Sequence, residues 1–216
     1  FHAFGLELLR LYWNGPNTAP YMASRSDQLF LLEELLPKLS LDYYLDLYEP
    51  LRSLKAVLGA ISRAKDELCT PNLYRIYAER TAKRDAEAGA KALEVARVYA
   101  IYEDEMHERG WIDFGDLIVR SIDLLSLGGP ALDWVQSTYR NILVDEYQDT
   151  NRASSVLLDK LTQPGRGPWV VGDVRQSIYR FRGASPLNMA KFRQQFNGAG
   201  RTDLKVNYRS GGRIVS

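Results

Sequence analysis

The sequence predicts a mainly α fold with a smaller α/β part near its carboxyl end. Apolar residues recur at helical spacing up to about residue 140, for example between Leu29 and Leu36, and this periodicity is typical of amphipathic helices. Two short apolar segments follow at residues 142–144 and 169–171, and each runs into polar residues. Such segments are typical of buried parallel strands.

The first half of the chain is predicted to be helical throughout. The first helix is expected to end at the breaker Asn14-Gly15-Pro16, and a polar loop follows to about residue 25. Thr70-Pro71 is expected to interrupt the helical pattern after Leu68. The predicted helices begin near Leu6, Ser26, Asp42 and Pro50.

A long pattern rich in Ala, Arg, Glu and Lys runs from Leu73 to about His107. Gly89 is expected to mark a break within this pattern, because glycine is a poor helix former. Asp113 is predicted to cap a helix that extends through Leu125, and the sequence Gly128-Gly129-Pro130 separates that helix from another short one.

Strands are expected only after residue 140. A third apolar segment, residues 204–206, joins the two already named, and residues 151–161 and 186–196 are predicted to be the helices that connect parallel strands. The chain therefore predicts a helical domain of roughly one hundred residues followed by part of an α/β domain.

Composition restricts the class of protein. The chain has 216 residues and a net charge of +1, yet residues 150–216 carry 12 basic and 3 acidic residues, a net of +9. A positive field there suits phosphates or a nucleic-acid backbone. Cys69 is the single cysteine, and the sequence has no long apolar run, so we expect a cytoplasmic protein without a disulfide or membrane span. Two histidines and one cysteine do not make a zinc site, which leaves Mg²⁺ as the expected metal.

Asp145 and Glu146 follow directly after the apolar segment 142–144. Open α/β sheets bind ligands at the carboxyl ends of their strands. A first carboxylate at such an end can hold Mg²⁺ through water, and a second can take a proton from an attacking water. The pair therefore predicts a nucleotide-hydrolysing site, although an isolated Asp-Glu pair is also compatible with a solvated helix cap.

Three sequence motifs carry a specific family resemblance. Residues 144–151, VDEYQDTN, resemble motif II of the UvrD/Rep-like superfamily 1 DNA helicases, and residues 172–184, GDVRQSIYRFRGA, resemble motif III. Residues 207–210, NYRS, resemble motif IV. The three occur in the family's order and match at nearly every fixed position.

The resemblance covers almost the whole chain. Residues 1–4 are similar to the end of the family's first DNA-contacting motif, residues 61–68 to a helix of its inserted 1B domain, and residues 111–117 to the return into the motor domain. The resemblance implies three units. Residues 1–13 are the end of the motor domain's DNA-contacting motif, residues 14–110 are a helical 1B-type insertion domain, and residues 111–216 are a partial RecA-like P-loop NTPase domain with a short parallel sheet.

No G-x-x-x-x-G-K-[ST] phosphate loop occurs in the sequence. The resemblance therefore implies a fragment of a larger helicase, which runs from the end of the first DNA-contacting motif to motif IV. A fragment without that loop is not expected to hydrolyse ATP by itself.

The resemblance implies ATP and Mg²⁺ as cofactors. Asp145 would hold the metal and Glu146 would act as general base, in agreement with the argument from the strand end. Gln176 resembles the glutamine that contacts the γ-phosphate and the attacking water. Tyr208 resembles the residue that stacks on adenine, and Arg209 a phosphate contact whose guanidinium is suited to that role.

The resemblance also implies that the parent protein moves along single-stranded DNA in the 3′ to 5′ direction and unwinds duplex or junction DNA in repair or recombination. The implied DNA contacts are His2, Tyr179, Phe181 and Arg182, of which the aromatic residues offer a surface for base stacking. Gln148 and Asp149 are either helix-capping polar residues or a link between the ATP and DNA sites.

Two alternatives stay open. The helical part is a candidate for an ATP-independent module that binds DNA or a protein, in which Lys55, Arg63 and Lys65 contact duplex DNA or simply form a solvated helix face. Phe181 and Arg175-Gln176 are closer to the RecB/AddA branch, which combines a helicase with a nuclease. Most of the tyrosines in the helical part are expected to pack in its core.

Overall fold

The computed structural model contains nine α-helices and four short strands in the part of the chain that it describes. The predicted class, mainly α with an α/β part, is therefore confirmed. The described residues are 1–44, 48, 50–162, 165–176, 186–204 and 206.

Local capping signals set the boundaries of the helices in the first half. Ser24 and Asp27 form a capping box at the start of α2, Thr70 caps α4 ahead of Pro71, and Asp85 caps α5. These helices are α1 (His2–Leu11), α2 (Arg25–Leu39), α3 (Pro50–Asp66), α4 (Pro71–Ala82) and α5 (Ala86–Glu108).

The second half alternates helices with strands. Asn151 caps α8 by accepting a hydrogen bond from the Ser154 N–H, as the predicted connecting helix requires. The elements are β2 (Trp111–Ile112), α6 (Asp116–Ser126), α7 (Pro130–Thr138), β3 (Leu143–Val144), α8 (Arg152–Leu161), β4 (Trp169–Val170) and α9 (Pro186–Gln195); the remaining strand, β1 (Tyr21–Met22), lies in the first half.

The expectation that strands occur only after residue 140 is wrong. Strand β1 pairs in parallel with β2, with Tyr21 opposite Trp111 and Met22 opposite Ile112. Each strand has only two residues, and their pairing spans most of the helical part of the sequence. Neither segment carries the alternation that identifies a strand, so its partner is visible only in the fold.

Two helix predictions are also wrong. No helix starts at Asp42, because residues 42–44 form a bend and turn. The long helical pattern does not break at Gly89, since residues 83–85 separate α4 from α5 and Gly89 lies within α5. A Cβ atom on Gly89 would lie 2.2 Å from the Cα of Ala82, so this glycine permits close contact between the two helices.

The apolar segment 204–206 was predicted to be a third parallel strand. Leu204 and Val206 have no strand structure, and Lys205 lies outside the described residues. Both apolar side chains are largely exposed, Leu204 at 88%. The described part of this segment is therefore exposed and forms no strand, although its apolar pattern predicts one.

Two main hydrophobic cores divide the described residues. The first lies among α2, α3 and α5 and includes Leu32, Leu58 and Tyr102. The second lies among α1, α6, α7 and α8 and includes Ile122 and Leu157. The domain boundaries predicted at residues 13 and 110 stay a prediction. The carboxyl end of α3 lies where the two cores adjoin.

Lys65 lies at this junction, and its predicted role as a DNA contact or solvated residue is wrong. Its side chain is 2% exposed, and its Nζ lies 2.7 Å from Glu103, 2.8 Å from Asp113 and 2.8 Å from Asp116. The Tyr102 hydroxyl donates a hydrogen bond to Asp113 as well. The ammonium therefore ties α3 to α5 and to the start of α6.

Asp113 caps α6 as predicted, but it does so in a reciprocal pair with Asp116. Its Oδ1 accepts a hydrogen bond from the Asp116 N–H at 2.9 Å, and Asp116 Oδ2 accepts one from the Asp113 N–H at 2.9 Å. The reciprocal pair satisfies two backbone donors at the start of α6, although Gly115 is the residue that precedes the helix.

The tyrosines of the helical part follow the prediction only in part. Tyr99 and Tyr102 are buried and Tyr74 packs against the same core. Tyr43, Tyr48 and Tyr77 are more than half exposed. Among the helices that the structure describes, none is long and apolar enough to cross a membrane.

Candidate functional site

Strands β3 and β4 run in parallel and end at the same place. Leu143 lies opposite Trp169 and Val144 opposite Val170. Backbone hydrogen bonds continue the alignment past the strands, since the Val171 N–H donates to Val144 O at 2.9 Å and the Tyr147 N–H to Val171 O at 2.9 Å. The residues that follow each strand are therefore neighbours, as the sequence predicts.

Asp145 and Glu146 follow β3 and are exposed at this edge. The Oδ1 of Asp145 accepts a hydrogen bond from the Glu146 N–H at 2.9 Å. Glu146 has φ 50° and ψ 42°. This left-handed conformation costs a residue with a side chain about 1–2 kcal/mol, and it turns the chain from β3 into the short 3₁₀ helix Tyr147–Asp149.

Gln148 connects the two strand ends through its side-chain amide. Its Nε2 donates a hydrogen bond to Glu146 Oε2 at 2.7 Å, and its Oε1 accepts one from the Asp173 N–H at 3.0 Å. The side chain is 1% exposed. Gln148 is thus a buried bridge that fixes the Glu146 carboxylate relative to the loop after β4, rather than a helix cap.

Asp173 connects this bridge to Gln176. Its Oδ2 accepts a hydrogen bond from Gln176 Nε2 at 3.2 Å, and its Oδ1 accepts one from the Arg175 N–H at 2.9 Å. Gln176 ends the 3₁₀ helix Val174–Gln176 and is exposed. A hydrogen-bonded series therefore runs from Glu146 through Gln148 and Asp173 to Gln176.

Sequence reasoning singled out Gln148 but missed the structural roles of Gly172 and Asp173. A Cβ atom on Gly172 would lie 2.5 Å from Gln148 Oε1 and 2.6 Å from Met189 Cε, so only glycine allows the loop to approach the bridge. The Asp-x-x-Gln spacing of Asp173 and Gln176 is a local signal that predicts their contact.

The residues at this edge fit a magnesium-bound nucleotide. Mg²⁺ prefers oxygen ligands and is commonly held by one or two carboxylates, waters and phosphate oxygens. Asp145 is an exposed carboxylate at the end of a strand, and none of the described cations forms an ion pair with it. Its carboxylate, of which only Oδ1 accepts a hydrogen bond from a described residue, is therefore available to water or a metal ion.

A second group of carboxylates does not fit a metal. In the described part of the chain, Glu103, Asp113 and Asp116 bring three oxygens within 4.8 Å of one another. The Nζ of Lys65 already lies within 2.8 Å of an oxygen from each of them. An ammonium thus occupies the position that a cation would take.

The same cluster perturbs the titration of its members. Burial raises the pKa of Glu103 to about 7, against the opposing effect of Lys65. Burial alone would lower the pKa of Lys65, but the charges of Asp116, Asp113 and Glu103 raise it well above its usual value. Lys65 is therefore protonated at neutral pH.

His2 lies on α1 and stacks on Phe114. The ring centroids are 3.8 Å apart and the planes meet at 16°. Burial lowers the pKa of His2 well below its ordinary value of 6.5. Its imidazole is therefore neutral at physiological pH, so a contact between His2 and DNA would depend on an N–H hydrogen bond rather than on charge.

The other predicted site residues lie outside the described residues. These are Tyr179, Phe181, Arg182, Tyr208 and Arg209. The structure thus brings Asp145, Glu146 and Gln176 to one edge and separately describes His2.

Two parallel strands that deliver an Asp-Glu pair and a glutamine amide to one edge are typical of nucleoside triphosphate hydrolases. The chain belongs to the UvrD/REP helicase N-terminal domain family, whose profile matches residues 1–197. The predicted resemblance to UvrD/Rep-like helicases is therefore confirmed.

The names of individual relatives agree with this family assignment. The chain is 34% identical to the ATP-dependent DNA helicase PcrA of Bacillus subtilis over 217 aligned positions, which cover 100% of this chain and 27% of that protein. It is 33% identical to the ATP-dependent DNA helicase PcrA of Leuconostoc citreum, with 97% of this chain and 26% of that protein covered. The chain thus spans about a quarter of the length of these relatives.

Proposed function

We propose that this chain is part of an ATP-dependent DNA helicase that hydrolyses ATP and moves along single-stranded DNA in the 3′ to 5′ direction. The observation that carries the proposal is the hydrogen-bonded series from Glu146 through Gln148 and Asp173 to Gln176. The series joins a carboxylate suited to accept a proton with an amide suited to contact phosphate. The similarity of the whole chain to named DNA helicases supports DNA as the partner.

Glu146 is the proposed general base. Its Oε2 is held by Gln148, and no described residue donates a hydrogen bond to its Oε1. That oxygen is free to take a proton from water as the water oxygen bonds to the γ-phosphorus and the bond from phosphorus to the bridging oxygen breaks. Gln148 therefore orients the base toward the nucleophile.

Gln176 and Asp145 complete the proposed ATP site. The Gln176 amide can donate to a γ-phosphate oxygen and accept from the attacking water. Asp145 would hold Mg²⁺ through water, and the bound ion would neutralise phosphate charge. Tyr208 and Arg209 are proposed, from the family resemblance, to contact adenine and the γ-phosphate.

The proposed DNA contacts are His2, Tyr179, Phe181 and Arg182, with single-stranded and junction DNA as the expected ligands. A neutral His2 offers a hydrogen bond to a phosphate oxygen, whereas Arg182 offers charge. Binding through Arg182 is therefore expected to weaken with salt more strongly than binding through His2.

The deciding experiment measures ATP hydrolysis by the full-length protein that contains this chain, with and without single-stranded DNA. Glu146→Gln is expected to abolish DNA-stimulated turnover while DNA binding persists. The control, Glu67→Gln, changes an exposed carboxylate on the turn after α3 and is expected to leave turnover unchanged. Turnover that is absent in the wild type, or that survives Glu146→Gln, would refute the proposal.

The exposed face of α4 favours a second candidate function, ATP-independent binding by the helical part. Leu73, Ile76 and Tyr77 are exposed on this face, and the Arg80 guanidinium lies 5.9 Å from the Tyr77 ring centroid. If DNA binds there, the double variant Tyr77→Ala/Arg80→Ala should weaken DNA binding by the Glu146→Gln protein, which is not expected to turn over ATP. Unchanged binding at several salt concentrations would exclude this surface.

A further inference from the structure

The carboxylate of Asp66 contacts the end of the segment that carries Glu146. Asn151 Nδ2 donates a hydrogen bond to Asp66 Oδ1 at 2.6 Å. The other end of the Asn151 side chain, Oδ1, accepts a hydrogen bond from the Ser154 N–H at 2.8 Å. Asn151 is therefore fixed between the last residue of α3 and the first turn of α8.

The segment between Glu146 and Asn151 is stiff. The Asp149 N–H donates to Glu146 O at 2.9 Å, and Thr150 donates to Tyr147 O through both its N–H, at 3.2 Å, and its hydroxyl, at 2.7 Å. Tyr147 is fully buried. A displacement of Asn151 must therefore move the whole segment, including the backbone of Glu146.

Helix α3, which ends at Asp66, is itself anchored in the core of the helical part. Ile61 and Ala64 belong to the core of the helical part. Lys65, the neighbour of Asp66, is held by carboxylates from α5 and from the start of α6. The position of Asp66 thus follows the position of the helical core.

A third helix holds the same segment from another side. Asn188 of α9 donates a hydrogen bond from Nδ2 to Thr150 O at 2.9 Å. Without Asp66, this contact and the buried Tyr147 would still hold the segment near its place. The loss of Asp66 is therefore expected to disconnect the segment from the helical core without unfolding it.

We propose that Asp66 is a positioning residue that transmits the position of the helical core to Glu146 through its hydrogen bond with Asn151. The inference rests on the proposed function, because it assigns Asp66 to DNA-stimulated ATP hydrolysis. DNA that binds the protein and shifts the helical core relative to the ATP site would move Asn151, and with it the general base. Asp66 does not touch ATP.

The test uses the full-length protein with Asp66→Ala, Asp66→Asn and the neighbouring control Glu67→Ala. Asp66→Ala is expected to lower kcat with saturating single-stranded DNA by about tenfold, the effect of one lost hydrogen bond to a charged group. Turnover without DNA, the KM for ATP and DNA affinity should stay at wild-type values. Asp66→Asn should restore most of the stimulation, because its amide oxygen also accepts from Asn151, and Glu67→Ala should have no effect.

Hydrogen–deuterium exchange gives a readout that does not need turnover. Addition of an oligothymidine should change the exchange of amides 147–151 in the wild type, and Asp66→Ala should remove that change. Full stimulation in Asp66→Ala would overturn the inference, as would an equal loss of turnover with and without DNA, since that outcome indicates a merely structural role. If the wild type has no DNA-stimulated turnover, the proposed function fails, and the exchange data alone decide whether Asp66 links the two regions.

Discussion

The side-chain amide of Gln148 bridges Glu146 Oε2, at 2.7 Å, and the backbone N–H of Asp173, at 3.0 Å. One buried residue thus sets the distance between the two polar segments that follow β3 and β4. Neither segment alone determines where the Glu146 carboxylate lies.

Gln148→Leu should therefore impair turnover and stability together. It removes the hydrogen bonds that Gln148 makes with Glu146 Oε2 and with the Asp173 N–H, and each such bond typically contributes about 0.5–1.5 kcal/mol. We expect a lower urea midpoint for unfolding and a lower kcat in the full-length protein. The control is Gln194→Leu, which changes an exposed glutamine of α9, and an equal effect of both substitutions would contradict the bridging role.

Lys65→Met should strongly destabilise the helical part. It leaves Asp113 buried without its cation and Asp116 with only Arg120, whose Nε lies 3.9 Å away, and breaking a buried ion pair in this way costs about 3–5 kcal/mol. Chemical denaturation of wild type and variant measures the difference. Lys55→Met, which changes an exposed lysine of the same helix, should have little effect.

The stability of Lys65→Met should also recover as the pH falls. Acid protonates the unpaired carboxylates and removes the charge that burial disfavours. The gap in unfolding free energy between wild type and variant should therefore narrow below neutral pH. A gap that stays constant would show that the ammonium acts through packing alone.

The raised pKa of Glu103 predicts a pH dependence for the wild type. Its usual pKa is 4.5 and its value in the folded protein is about 7, so the folded state binds more protons than the unfolded state between these values. Stability should therefore fall as the pH rises through this range. Asp113, whose pKa Lys65 lowers although burial alone would raise it, is ionised in both states throughout the range.

Glu103→Gln isolates this contribution. In the wild type the urea midpoint should fall between about pH 5 and pH 7, and in Glu103→Gln most of this fall should be absent. The control is Glu108→Gln, which changes an exposed carboxylate at the end of the same helix. Asp66, whose pKa burial raises to about 6, contributes a smaller decline in the same direction. A profile that rises with pH in both proteins would contradict the assignment.

Two helical glycines should respond in opposite directions to the same substitution. Gly89→Ala places a Cβ atom 2.2 Å from the Ala82 Cα, and such overpacking costs about 1–3 kcal/mol. Gly59→Ala meets only the flexible Arg63 side chain at 3.5 Å and should stabilise the chain by up to about 1 kcal/mol. Thermal or urea unfolding of both variants checks the difference in sign.

Sequence reasoning located helices well where their signals are local. Thr70 and Pro71 were expected to interrupt the helical pattern, and they cap and begin α4. The sequence pattern predicts that α2 begins at Ser26, one residue after its observed start at Arg25, because the pattern does not reveal the capping box formed by Ser24 and Asp27. No such local signal marks the bend and turn at residues 42–44, where the pattern predicts a helix.

The rest of the fold depends on contacts between distant residues. Lys65 looks like an exposed helix residue, and its carboxylate partners Asp113 and Asp116 lie 48 and 51 positions away. The pairing of β1 with β2 likewise joins Tyr21 to Trp111. Periodicity describes one element at a time and does not identify its partner.

The candidate site likewise combines features that have a local sequence signal with contacts between distant residues. Asp145 and Glu146 were predicted because they directly follow an apolar strand, and this signal is local. The bridge through Gln148 requires that β3 and β4 pair, so that Asp173 comes within reach. The direction of the Gln148 side chain was therefore not available from the motif.

The burial of Lys65 also bears on how the protein can be dissected. A piece that ends at residue 110 would retain this lysine and Glu103 but lose Asp113 and Asp116. Its ammonium would lack two of its counter-charges inside an apolar core, and the piece would fold poorly for a reason unrelated to its ligands. A helical fragment prepared for binding studies should therefore extend through Asp116, or carry an apolar residue in place of Lys65.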